Sequence, residues 1–201
     1  PFALNGARNS GGLAVSGSGN HLFVATGDNN TINQAKLAQD LTAFHGKLLR
    51  FNIDGTIPTD NPSLGDTSGA LKAIYAVGFG RPYRIGIDPV TDAIFVADSA
   101  RLSWSEVSLV PSGGGGNYGW PEIEGDGHTG PGGVEPIENP IAPLWETPKP
   151  SPGTLLIVGP AYRRPENATG GLPETLHGYV PVAEFFESWF KLVGPNGELV
   201  E

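Results

Sequence analysis

The 201-residue chain contains no cysteine and no methionine. Without cysteine it can form neither disulfides nor thiolate metal sites, and the absence is neutral as to compartment. A chain that opens on Pro1 and has no methionine is expected to be processed or to be a segment of something longer. Basic residues are scarce as well: 12 Lys and Arg stand against 21 Asp and Glu, a formal net charge of −9. Phosphate neutralisation needs clustered cations, so nucleic acid is not an expected partner, and an acidic partner is disfavoured. No apolar run reaches the about 18 residues of a membrane span, and PFALNGARNS lacks the basic and apolar regions of a secretory signal. Long helical periodicity is missing too.

What the chain has in quantity is punctuation, with 30 Gly and 19 Pro, nearly a quarter of all residues. Short apolar runs between such breakers predict an all-β fold of many short strands and tight turns. At 38% hydrophobic and 16% charged, residues 1–201 can bury a core and are expected to form one domain. One pattern recurs. Residues 11–28 (GGLAVSGSGNHLFVATGD) and 85–98 (IGIDPVTDAIFVAD) both run strand, turn, strand and share Phe-Val-Ala. A third strand follows each, in GKLLRFNIDG and SEVSLVPSG, and a looser copy occupies YVPVAEFF and SWFKLVGPNGE. Three divergent copies of one sheet unit are what part of a β-propeller presents. The spacing of Leu37, Leu41 and Phe44 predicts a short helix on a loop within NNTINQAKLAQDLTAFH. Residues 122–153, dense in Gly, Pro and Glu, read as an exposed loop, and NYGWP as a structural turn whose rings cover the end of a sheet.

Five collinear stretches carry a resemblance: LFVATGD at 22–28, AQDLTAFHGKLLRFNIDGTIPTDNP at 38–62, IYAVGFGRPYRIGID from Ile74, FVADSARLSWSEVSLV from Phe95, and GGNYGWPEIEG ending at Gly125. Together they resemble the glucose/sorbosone dehydrogenase family, soluble sugar dehydrogenases that depend on pyrroloquinoline quinone (PQQ). The resemblance implies a six-bladed β-propeller, of which this chain would cover about half, or about three blades.

The same resemblance supplies candidate site residues. Where the family carries a catalytic histidine this chain has Arg8, and a guanidinium cannot take a proton from a sugar hydroxyl near neutral pH. Asn29, after the Gly-Asp turn, matches a polar cofactor contact. The family's Arg-Asn pair before a proline falls on Gly80 and Arg81. On an extended segment that one-residue displacement turns Arg81 aside, leaving Arg84 as the other cation, and for either arginine pairing with Asp88 or Asp98 is the structural alternative. In the loop after FVAD, Ser99 is a further cofactor candidate, and the backbone carbonyls of Ala100 and Arg101 match those that hold a Ca²⁺ in the family. His21, His45, His128 and His177 show no ligand spacing. Asn29 and Asn167 each open an N-glycosylation triplet.

These substitutions favour an extracellular or periplasmic propeller that keeps the scaffold without a working catalytic site. It would serve, glycosylated, as a binding or assembly module. Its partners would be the rest of a parent chain or further copies of itself, which could stack into a filament, with carbohydrate as a candidate ligand, no nucleic acid and no membrane span. It would need no cofactor. The alternative is a PQQ- and Ca²⁺-dependent aldose dehydrogenase that oxidises the sugar C1 hydroxyl.

Overall fold

The computed structural model of the chain describes residues 11–29, 35–64, 71–99, 102–149 and 154–200. The first sheet is built in chain order from β1 (Leu13–Val15), β2 (His21–Thr26), β3 (Lys47–Asn52) and β4 (Ile74–Val77), each antiparallel to the last. The second takes β5 (Pro82–Ile87), β6 (Ile94–Asp98) and β7 (Trp104–Val110). A small hairpin of β8 (Ile123–Glu124) and β9 (His128–Thr129) follows, before β10 (Trp145–Pro148) completes the second sheet against β7. The third is β11 (Leu156–Val158), β12 (Val180–Glu184), β13 (Trp189–Val193) and β14 (Leu199–Val200). Phe-Val-Ala is the second strand of both the first and the second sheet, and the looser C-terminal copy supplies the second and third strands of the last.

Local chemistry sets the turns. Between β5 and β6, Pro89 starts the reversal while Asp88 accepts the Val90 amide at 3.0 Å and the Thr91 hydroxyl at 2.9 Å. Side-chain alternation then sets the layers. Ile94 and Val96 of β6 face the first sheet, packing with Phe23, Leu48 and Tyr75, while Phe95 and Ala97 face the third, packing with Leu156, Val180 and Val182. The second sheet is therefore covered on both sides, which is why IFVAD is buried throughout. Each Val- or Ile-sized side chain so buried contributes about 1.5–3 kcal/mol. The first strands of the three sheets lie side by side, and glycine permits it. A Cβ at Gly12 would stand 2.3 Å from the Ile85 amide nitrogen, and one at Gly86 would stand 1.9 Å from the Gly159 carbonyl oxygen.

Two local expectations change. In place of a helix over the Leu37–Phe44 spacing there is one 3₁₀ turn, Lys36–Ala38. The carbonyls of Leu37 and Ala38, which an α-helix would return to residues 41 and 42, are taken by the Lys47 ammonium at 2.8 and 2.9 Å, and the Thr42 amide donates to the Asp40 carboxylate. Leu41 and Phe44 pack instead on the outer face of the first sheet, beside Leu49 and Ile74. The stretch 122–153 is not simply a loop, since it carries the β8–β9 hairpin and the edge strand β10.

Candidate functional site

The turn after β2, the turn between β4 and β5 and the end of β6 meet at one end of the first two sheets. The Asp28 amide donates to the Gly80 carbonyl at 2.9 Å. The amides of Gly80 and Arg81 donate to the two carboxylate oxygens of Asp98, at 2.7 and 2.5 Å. The Ser99 amide donates to the Arg81 carbonyl at 3.1 Å, and the Ser99 hydroxyl accepts the Leu156 amide at 3.0 Å, which ties the third sheet to the same corner. A second brace comes from the end of the β2–β3 connection. The Gly46 amide donates to the Gly27 carbonyl at 3.0 Å, while its own carbonyl accepts the amides of Gly78 and Phe79 at 3.1 and 3.2 Å.

Asn29, Gly80, Arg81 and Ser99, expected from the sequence to share a site, are thus joined through adjacent backbone bonds. Arg84 is exposed on β5. Arg8, Ala100 and Arg101 lie outside the described residues. Neither Arg81 nor Arg84 forms the expected ion pair: Arg163 holds Asp88, with its Nε donating at 2.9 Å, and backbone amides hold Asp98. Of the two glycosylation candidates, Asn167 is exposed, whereas Asn29 is 6% exposed and does not present its amide to a glycan.

Four side-chain polar atoms among the described residues are buried without a hydrogen-bond partner: Asn29 Oδ1, Arg81 Nε, and both ring nitrogens of His45. They sit on the turn after β2, the turn between β4 and β5, and the end of the β2–β3 connection. Asn29 is held in the left-handed region at φ 71°, a conformation that asparagine tolerates better than most residues and that fixes where its amide points. Buried polar groups are normally paired, so unpaired ones on connections that are themselves bonded together make these connections the candidate site.

The floor of the site is acidic. Asp28 is fully buried and accepts the indole N–H of Trp120 at 3.0 Å. A Cβ on Gly80 would stand 3.1 Å from that indole, so glycine fits the position where the family resemblance placed an arginine. Asp98, Glu106 and Glu146 are successive cross-strand neighbours on β6, β7 and β10. Burial pushes the Asp98 carboxyl up to about 7 against the amides of Arg81 and Gly80, with Asp28 and Glu124 adding to the rise. Burial, then Asp98, raises Glu106 well above the usual carboxylate range. Glu124 accepts the amides of Leu102 at 2.8 Å, Ser103 at 2.7 Å and Trp104 at 3.2 Å, closing the start of β7 over the row. Among the described residues no three His, Asp or Glu side chains converge on a common metal position.

Sequence reasoning passed over Asp28, Asp98, Trp120 and His45. The first three stand inside the quoted Gly-Asp, Phe-Val-Ala-Asp and Asn-Tyr-Gly-Trp-Pro stretches, where an acid closing an apolar strand was the available signal. His45 carried none.

The chain is 35% identical over 121 residues to aldose sugar dehydrogenase YliI of Escherichia coli (strain K12), an alignment covering 60% of this chain and 31% of that protein. It is 34% identical over 106 residues to quinoprotein glucose dehydrogenase B of Acinetobacter calcoaceticus, covering 52% and 21%. Among solved structures, the fold is shared with the apo form of the E. coli soluble aldose sugar dehydrogenase, at a TM-score of 0.68 and 24% identity over 94% of this chain and 52% of that one. The PQQ-bound aldose sugar dehydrogenase of Streptomyces coelicolor gives a TM-score of 0.66 at 21% identity, over 96% and 47%. The chain therefore spans about half the length of these solved relatives. With the profile described as Glucose / Sorbosone dehydrogenase matching residues 2–162, across both complete site-bearing sheets, the chain belongs to the glucose/sorbosone dehydrogenase family.

Proposed function

We propose that this chain forms the quinone-binding corner of an extracellular or periplasmic PQQ-dependent aldose dehydrogenase. The observation that carries the reading is the pair of buried, unpartnered polar atoms on Asn29 and Arg81, whose chain neighbours Asp28 and Gly80 are joined by a backbone hydrogen bond while the Asp98 carboxylate holds the Arg81 amide. The pair is one donor and one acceptor, and it fits an anionic, planar quinone, because the Arg81 guanidinium matches a carboxylate and the Asn29 amide oxygen can accept a ring N–H. Arg81 and Asn29 would hold PQQ, and Asp28 and Asp98 keep their turns in place. When bound, PQQ supplies the two-electron acceptor for sugar oxidation. A Ca²⁺ would take the carbonyls of Ala100 and Arg101. The reading as a scaffold without chemistry loses ground here, since the relatives bear dehydrogenase names and the unpartnered groups suit a ligand.

Quenching of tryptophan fluorescence by PQQ with Ca²⁺ tests this. Arg81→Ala is expected to weaken binding about tenfold or more, the loss of one charge-assisted hydrogen bond. Absence of saturable quenching in the unaltered chain would sink the proposal.

An assembly role finds separate support in the outer face of the third sheet. Phe190 is 62% exposed there, opposite Ala183, and Leu192 pairs with Pro181 and with Val200, which is 39% exposed. Each inter-sheet face in this fold is of the same apolar kind, so this one is suited to receive another sheet, from a longer polypeptide or from a further copy. Sedimentation of the chain over a range of concentrations is expected to show self-association that Phe190→Ser weakens at least about tenfold, as deletion of a buried phenyl ring would. A monomer at every concentration would end the assembly reading.

A further inference from the structure

The connection between β11 and β12 carries a turn that is braced at its base and open at its tip. The Tyr162 amide donates to the Tyr179 carbonyl at 2.8 Å, and the Tyr162 hydroxyl donates to the Leu172 carbonyl at 2.7 Å. The Arg164 amide donates to His177 Nε2 at 3.0 Å, and the Arg164 guanidinium to the Ala168 carbonyl at 3.1 Å. On this base the Ala168 amide donates to the Pro165 carbonyl at 3.0 Å, a β-turn over residues 165–168 that puts Asn167 at its third position. Asn167 and Thr169 are both exposed, and Asn167-Ala168-Thr169 has the acceptor pattern for an N-linked glycan. Asn29, which opens the other such triplet, is buried among the turns of the candidate site.

The turn also lies at the end of the sheets away from that site. β5 leaves the site at Pro82 and leads to Asp88, which holds Arg163. β11 starts at Leu156, whose amide is on the Ser99 hydroxyl, and beyond it the Ala161 amide reaches the Ile87 carbonyl at 3.1 Å, at the far end of β5. A bulky group on Asn167 therefore leaves the candidate site open.

We propose that Asn167 is an N-glycosylation site, taking an oligosaccharide from a lipid diphosphate donor; this rests on the extracellular reading above. Asn167 Nδ2 gives up a proton and bonds to C1 of the first sugar, while the C1–O bond to the diphosphate breaks and the lipid diphosphate leaves with the electron pair. No oxidant or reductant enters the step. Beside the turn is an open polar cleft lined by Arg164, Glu166, Glu174 and His177, whose donors and acceptors match the hydroxyl and acetamide groups of an N-acetylhexosamine. A glycan on Asn29 would instead have to pass through packed backbone, so the fold admits one of the two triplets.

The test expresses the chain behind a cleaved secretory leader in a eukaryotic cell line. Intact mass and peptide mapping are read before and after enzymatic removal of N-glycans, which leaves aspartate where the sugar stood. The expected result is a single glycan, with aspartate appearing at position 167 and asparagine kept at 29. Asn167→Gln and Thr169→Ala are expected to lose the glycan and Thr169→Ser to keep it, which separates loss of the acceptor from a change in the fold. Tryptophan quenching by PQQ with Ca²⁺ is expected to be the same for the glycosylated and the stripped chain. A chain without glycan at 167, in medium and in cells, overturns the inference, as does a folded chain glycosylated at 29 or a glycan at 167 that blocks quenching. Because the leader supplies the route to the lumen, a missing glycan speaks against Asn167 and not against extracellular placement. If Asn167 is modified and neither form binds PQQ, the inference stands and the quinone-binding reading fails.

Discussion

Lys47→Met is expected to lower the free energy of unfolding by roughly 3–5 kcal/mol, one of the two largest effects of a single substitution that this structure implies. Lys47 is fully buried at the start of β3, and its Nζ donates to the carbonyls of Leu37, Ala38 and His45 at 2.8, 2.9 and 2.7 Å. Burial pulls the ammonium down to about 7, with only the charge of Asp40 opposing, yet three carbonyl oxygens match the three donors of the charged form. Methionine keeps the length of the stem and most of its packing, so the loss falls on those three bonds. Part of it is recovered where the half-exposed loop turns a carbonyl to water, which keeps the expected cost below the sum of three orphaned acceptors. Because that loop ends in Gly46, whose backbone bonds reach Gly27, Gly78 and Phe79, the variant should also loosen the turns that bear Asn29 and Arg81. Urea unfolding is the measurement, and a midpoint unchanged from the parent chain would show that the ammonium does not hold this loop.

Much of the fold was legible because the strands follow local rules. The two Phe-Val-Ala runs alternate with small turns that only a few residue types can make, and they fall on the same strand of consecutive sheets. What was not legible depended on long-range partners. Nothing in the Glu-Thr-Pro of β10 marks a strand, since it is an edge whose pairing with β7 comes from the far side of a long loop. The expected short helix is cut to one 3₁₀ turn for the same reason: Leu37, Leu41 and Phe44 have helical spacing, but Lys47 and Asp40 claim the groups a longer helix would have used.

The site divides in the same way. Asn29, Gly80, Arg81 and Ser99 could be named from their motifs, and the structure joins them. Their supports could not, because Asp28 depends on Trp120 and Asp98 on the amides of Gly80 and Arg81, pairings that no local window contains. The expectation that Arg81 would pair with an acid treated its side chain as the interacting group. In the fold its backbone amide meets Asp98 and its Nε is left for something else.

Glu106→Gln is expected to stabilise the chain above neutral pH by about 1–3 kcal/mol and to flatten the fall of stability with pH. Asp98 and Glu106 face each other across β6 and β7, both buried, and Glu146 is the next cross-strand neighbour of Glu106. Like charges directly opposite repel, and burial penalises each anion, so the folded chain holds protons here that the unfolded chain releases. For Asp98 the unfolded group ionises near 3.8 and the folded one near about 7. Its contribution to stability is therefore fully present below about pH 4 and is lost as pH rises through about 7. Glu106 adds in the same direction. A glutamine at 106 keeps an oxygen for the Gly125 amide, which Glu106 Oε2 accepts at 2.8 Å, and sets an amide opposite Asp98 in place of a second acid. Asp98 then ionises against a neutral neighbour. Urea unfolding of both chains at mildly acidic, neutral and alkaline pH is the test: the curves should converge toward acid and separate toward alkali with the variant above. If the parent chain is as stable in alkali as in mild acid, or if the variant is weaker at every pH, the acidic row does not carry the proton assigned to it.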